Sequence, residues 1–176
     1  KKTIFTLLSK PLYRAEFILG KFLGLVLTLL VMTAGMSVIF LAIVYLHTSR
    51  IEGAMFVAIA YTFLELALIT AVAILFSSFS TPILSSIFSL AFYLIGHLSW
   101  GLQVLIKKMP VGAGRTAARF LYVFLPDLEN FNFRTEVVHN LPIPAGIYLF
   151  SFLYGVCYTA FILALAVLIF RRRDFI

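Results

Sequence analysis

Apolar residues run along this chain in long uninterrupted blocks, not in the alternation of a half-buried strand or the one-sided stripe of a soluble helix. Residues 22–46 carry no charge, and at about 1.5 Å per residue they are long enough to cross a hydrocarbon layer of about 30 Å. The next apolar run, 53–106, charged only at Glu65, is too long for one crossing and is interrupted at Ser77-Ser78-Phe79-Ser80-Thr81-Pro82, a turn-forming cluster. It divides into a second helix over 53–76 and a third over 82–105. A last charge-free run predicts a helix over 147–170, stopped at Arg171-Arg172-Arg173-Asp174. The pattern therefore predicts an all-α integral membrane protein with about four transmembrane helices, and its block form excludes an outer-membrane barrel.

Residues 1–21 follow a different rule. On a helical projection Ile4, Phe5, Leu8, Pro11, Leu12, Ala15, Ile18 and Leu19 fall on one arc, and Thr6, Ser9, Lys10, Tyr13, Arg14, Glu16 and Lys21 on the other. Such a segment lies along a membrane surface with its polar arc toward water. Pro11 should break it, since proline suits a first turn and disrupts a helix interior. Two short helices are expected, meeting near Ser9-Lys10-Pro11, the second running into the first crossing.

The 106–146 connection holds a second weakly amphipathic stretch, Arg115 to Leu125, closed by Pro126-Asp127, and two prolines, Pro142 and Pro144, before the last helix. Its phenylalanines at 120, 124, 131 and 133 are unusual for a flexible linker, so the connection is read as short helices on the outer face of the membrane.

Composition agrees with a bilayer. Of 176 residues 62% are hydrophobic and 12% charged, against roughly a quarter charged in soluble domains. The net charge of +7 does not indicate nucleic acid, because the basic residues sit at the edges of apolar blocks and act as topology signals. Lys1, Lys2, Lys10, Arg14 and Lys21 at one end and three arginines at the other put both ends, including the tail 171–176, in the cytoplasm of a multi-pass plasma-membrane protein. Lys107, Lys108, Arg115, Arg119 and Arg134 in the outer connection oppose this, partly offset by Asp127, Glu129 and Glu136. The single Cys157 excludes an intramolecular disulfide and is read as a small core residue. The start at Lys1-Lys2 suggests an N-terminally incomplete chain.

No phosphate loop, no zinc-protease helix and no cysteine or histidine metal spacing occurs, so neither ATP hydrolysis nor a metal site is expected of this chain. Glu65 is the one acidic group inside an apolar block, about 18 Å along the second helix, and His97 lies near the same depth on the third. A carboxylate there costs on the order of 2.5–3.5 kcal/mol on insertion scales, so it should face protein or a wet cavity. Either a structural hydrogen bond or an intramembrane transport path accounts for the pair. Trp100, Gln103, Tyr45 and His47 read as interfacial residues, and Gly20-Gly24 and Ala160-Ala164 as small-residue faces for helix packing.

Residues 3–24, TIFTLLSKPLYRAEFILGKFLG, resemble the cytoplasmic segment of type-two ATP-binding-cassette transporter permeases through Thr6, Leu7, Leu8, Ser9, Pro11, Arg14, Glu16, Gly20 and Lys21. LYVFLPDLENFNF at 121–133 and LYGVCYTAFILALAVLIFRRRDF at 153–175 resemble the same family in the same order. The resemblance implies a permease half, lacking the family's first two helices, that pairs with a second permease as a homodimer or heterodimer. It implies docking of a cytoplasmic nucleotide-binding ATPase subunit on the coupling segment 1–21, at Thr6, Ser9, Lys10, Pro11, Arg14, Glu16 and Lys21. It also implies that ATP and magnesium are held by that partner and no cofactor by this chain. Two other readings stay open from the residues alone: a non-transporting membrane anchor that recruits a cytoplasmic partner, and a membrane enzyme using Glu65 and His97 as an acid/base pair.

Overall fold

A computed structural model describes residues 14–98, 106, 112, 114–116, 126–133, 137 and 144–172, with the side chains of Arg14, Ala145, Arg171 and Arg172 excepted. Helix α1 spans Arg14–Thr48, α2 Gly53–Phe79, α3 Pro82–His97 and α4 Ala145–Arg172, and a 3-10 turn covers Leu128–Phe131. Among the described residues there is no strand. The chain is an all-α membrane protein.

The ends of these helices follow from local sequence. α1 stops where Ser49 enters the left-handed region at φ 54°, its N–H closing back on Tyr45 O at 2.8 Å. α2 ends at Ser80, whose N–H bonds Phe76 O at 3.0 Å, and α3 begins at once because Pro82 occupies its first turn, where no donor is lost. The Ser77–Pro82 cluster thus makes a tight hairpin between α2 and α3.

α1, α2 and α4 are each long and apolar enough to cross a membrane, and α3 is an apolar helix of 16 residues. Residues 99–105 of the expected third helix lie outside the described residues, as do Trp100 and Gln103. α1 runs without interruption through position 21, where the surface segment was expected to meet the first crossing. The predicted elbow at Ser9-Lys10-Pro11 lies outside the described residues.

α2 is the centre of the bundle and touches α1, α3, α4 and the 3-10 turn. Leu68, Ala71 and Val72 on α2 are fully buried, against Ile162, Leu163 and Ala166 of α4 and Ile18 of α1. In a bilayer such contacts hold through close packing, since lipid tails offer the same apolar surroundings. Tyr61 adds a cross-helix hydrogen bond, its hydroxyl donating to Tyr148 O at 2.6 Å. α1 is peripheral, with Leu27, Val31, Met36, Val38 and Ile43 exposed.

Cys157 is exposed on α4 and is not a core residue, because the buried stripe of that helix passes through Ser151, Gly155, Ile162 and Ala166. Gly20 and Gly24 have open space where a side chain would be, and Ala160 and Ala164 are exposed, so neither small-residue pair packs against a described helix. Residues 126–133 of the connection pack into the bundle: Leu128 and Phe131 are almost completely buried, and Phe133 is buried beside them. Of the stretch 115–125, only 115 and 116 are among the described residues.

Candidate functional site

The α2–α3 hairpin sets equal depths on its two arms. Glu65 lies 14 residues before the end of α2 and His97 15 residues after the start of α3, so both stand about 21–23 Å from the turn. Their side chains meet: His97 Nε2 is 2.7 Å from Glu65 Oε1, the length of a charge-assisted hydrogen bond. The Glu65 residue is 5% exposed and the His97 side chain 26%, so the carboxylate depends on the imidazole while part of the imidazole is left uncovered by the described residues. The sequence had placed these two groups at one depth, and the structure brings them together.

A third group was missed. Glu129, in the 3-10 turn, brings Oε2 to 3.8 Å from His97 Nδ1, on the opposite side of the ring from Glu65. The turn is tied internally: Asp127 Oδ1 accepts from Glu129 N at 3.2 Å, and Asn132 Nδ2 donates to Glu129 Oε1 at 3.0 Å. It is tied to α4 as well, since Asp127 N donates to Tyr154 Oη at 3.0 Å. Tyr93, one helical turn before His97, sets its ring edge-on to the imidazole with centroids 4.6 Å apart.

Two glycines let this turn approach. A Cβ on Gly96 would lie 2.6 Å from Leu128 Cγ and Cδ1, and one on Gly155 would lie 2.8 Å from Phe131 Cε1 and Leu64 Cδ2. Gly96 immediately precedes His97, so the residue that admits Leu128 also fixes where the imidazole stands. The usable sequence signals were Asp127-Leu-Glu129, a capped turn carrying a carboxylate, and a glycine beside the only histidine in an apolar block.

Below the pair, toward the hairpin turn, a groove is lined by Lys21, Ser77, Ser85, Ser86, Ser89 and Tyr93. Lys21 Nζ donates to Ser77 Oγ at 3.3 Å, and Ser85 Oγ donates to Ala73 O at 3.2 Å, joining α3 to α2. Of the residues that the resemblance assigned to ATPase docking, Thr6, Ser9, Lys10 and Pro11 lie outside the described residues, as does the Arg14 side chain. Glu16 is exposed in the first turn of α1, where a carboxylate complements the helix dipole, and Lys21 is exposed where it reaches the end of α2.

No group of three or more His, Cys, Asp or Glu suited to a metal ion occurs among the described residues. At 2.7 Å Glu65 and His97 occupy one another, leaving no space for an ion held at about 2.0–2.2 Å by each. What the arrangement can do is share a proton between α2 and α3, about 21–23 Å from their turn.

No curated protein and no solved structure matches the chain. A family profile described as ABC-2 family transporter protein matches residues 1–175. With a profile that spans nearly every residue and apolar helices that fit a multi-pass permease, the chain belongs to the ABC-2 family of membrane transporter proteins.

Proposed function

We propose that this chain is the membrane permease subunit of an ATP-driven transporter, coupled through its N-terminal segment to a separate nucleotide-binding subunit. Membership of the ABC-2 family supports the class, because such permeases are typically non-catalytic. ATP and magnesium belong to the partner in this reading. A second permease subunit completes the path, both termini are cytoplasmic, and the protein resides in the plasma membrane. Glu65 and His97 stand along the path as the polar pair that substrate or water meets at mid-depth.

The observation that carries the coupling role is the unbroken α1. Its 35 residues extend for about 52 Å, while the hydrocarbon layer is about 30 Å thick. Roughly 20 Å of helix is left over for the polar and interfacial layers, continuous with the crossing. A push on the Arg14–Lys21 end is therefore delivered along one hydrogen-bonded rod instead of being lost at a joint. Thr6, Ser9, Lys10, Pro11, Arg14, Glu16 and Lys21 are the docking residues in this reading.

Charge reversal at Arg14→Glu together with Glu16→Arg tests it. The double variant should insert normally, since exposed charges contribute about 0–1 kcal/mol, but hydrolyse ATP without transport when purified with its nucleotide-binding partner. Wild-type coupling in that variant, or a crosslinker at position 10 that never captures a nucleotide-binding subunit, removes the assignment.

A further inference from the structure

Three titratable groups from three separate pieces of chain converge on one ring: Glu65 from α2, His97 from α3 and Glu129 from the 126–133 segment. We propose that they form a single proton-binding site, and that the bound proton holds residues 126–133 in the bundle.

The argument begins with the donors of imidazole. A neutral ring has one N–H and one acceptor nitrogen, whereas the cationic ring donates from both. His97 has a carboxylate at each nitrogen, Glu65 at 2.7 Å from Nε2 and Glu129 at 3.8 Å from Nδ1. Only the protonated ring attracts both. When the proton leaves, one nitrogen presents a lone pair to a carboxylate, and one of the two links becomes repulsive.

Burial decides which link fails. The Glu65 side chain is 7% exposed, which leaves little surface for any partner to replace the imidazole, so it keeps the remaining N–H. The Glu129 side chain is 47% exposed and stands at the longer distance, so it has surface left for other partners. Deprotonation therefore releases Glu129. Because Asp127 and Asn132 fix Glu129 within its turn, the release acts on the whole turn and loosens Leu128 at Gly96 and Phe131 at Gly155. Of the other titratable groups at this place, Tyr93 faces the ring with its edge, Asp127 caps the turn, and Tyr154 on α4 accepts from Asp127 N. None of these three substitutes for His97 as a cation between the carboxylates. The site lies inside the permease yet needs neither ATP nor a partner to bind its proton.

The experiment uses the full chain in lipid nanodiscs between about pH 5 and 8, the range in which histidine is the usual titrating side chain. Nitrogen-15 signals of histidine, with His97 assigned by its loss in His97→Gln, report the proton. Hydrogen exchange of the 126–133 amides, corrected for the intrinsic pH dependence, reports the turn. Protection of 126–133 should fall in a step of at least about fivefold, equivalent to about 1 kcal/mol, as the His97 ring loses its proton with rising pH. In Glu129→Gln, a change at a half-exposed position, the ring should still titrate while the exchange step disappears. The proposal is overturned if His97 keeps one protonation state throughout, if wild-type protection does not follow the step, or if Glu129→Gln retains it. Neither readout involves transport, so these outcomes are separate from the fate of the coupling reading.

Discussion

Substituting Gly96 by alanine tests whether the 126–133 turn is seated as tightly as its contacts imply. The new methyl would stand 2.6 Å from both Cγ and Cδ1 of Leu128, and 3.3 Å from Pro126 O. Carbon atoms prefer about 3.5–4.0 Å, so Leu128 must retreat by about 1 Å. It has little room to do so, being 0% exposed and rooted in a turn that Asp127 and Tyr154 hold. Overpacking of this kind costs about 1–3 kcal/mol. Leu128→Ala alone should cost about 2–5 kcal/mol through lost contacts and a cavity. That truncation removes both atoms with which the new methyl collides. In the double variant the collision is gone, and the total should fall short of the sum of the single losses by about 1–3 kcal/mol. Reversible unfolding in mixed detergent–lipid micelles, titrated with a denaturing detergent, supplies all three values. If the two losses add to within about 0.5 kcal/mol, Leu128 is not seated on Gly96 and the inserted position of the turn is wrong.

Removing His97 as His97→Leu should destabilise the protein by about 3–5 kcal/mol, because the buried Glu65 carboxylate loses its counter-group, and adding Glu65→Leu should recover most of that loss in the same unfolding titration. Glu65→Gln should be far milder, since an amide still pairs with the imidazole; a loss as large as that of His97→Leu would contradict a hydrogen-bonding role. Ser151 is 1% exposed and its hydroxyl has no hydrogen-bond partner among the described residues. Ser151→Ala should therefore be neutral or stabilising by up to about 1–3 kcal/mol, and a clear loss of stability would reveal a partner.

How legible each feature was depends on whether it is local. The hairpin at Ser77–Pro82 could be read because turn residues and a proline act within a few positions, and the hairpin in turn made the depths of Glu65 and His97 comparable. The burial of Leu128 and Phe131 could not be read. Apolar residues in a polar connection have the same pattern whether they lie on an interface or enter a bundle, and what admits them here is a missing side chain at Gly96 and Gly155, far away in sequence. Glu129 was counted as a loop charge for the same reason: nothing local says that its turn reaches His97. Gly20 and Gly24 are the converse case: their spacing suits close packing, and no described residue approaches them. Spacing shows that a contact is possible, and only the rest of the chain supplies a partner.

The Glu65–His97 pair also bears on how the protein is made. Only 32 positions separate the two residues, and both belong to one hairpin. They can therefore meet before the 126–133 segment and α4 have been synthesised. The α2–α3 hairpin can enter the bilayer as a unit whose carboxylate already has its counter-group, instead of presenting a lone charge at a cost on the order of 2.5–3.5 kcal/mol during insertion. Glu129 and α4 arrive later and close around a contact that is already formed. The order of the elements along the chain thus protects the most expensive side chain of the bundle at the stage of biogenesis when it has fewest neighbours.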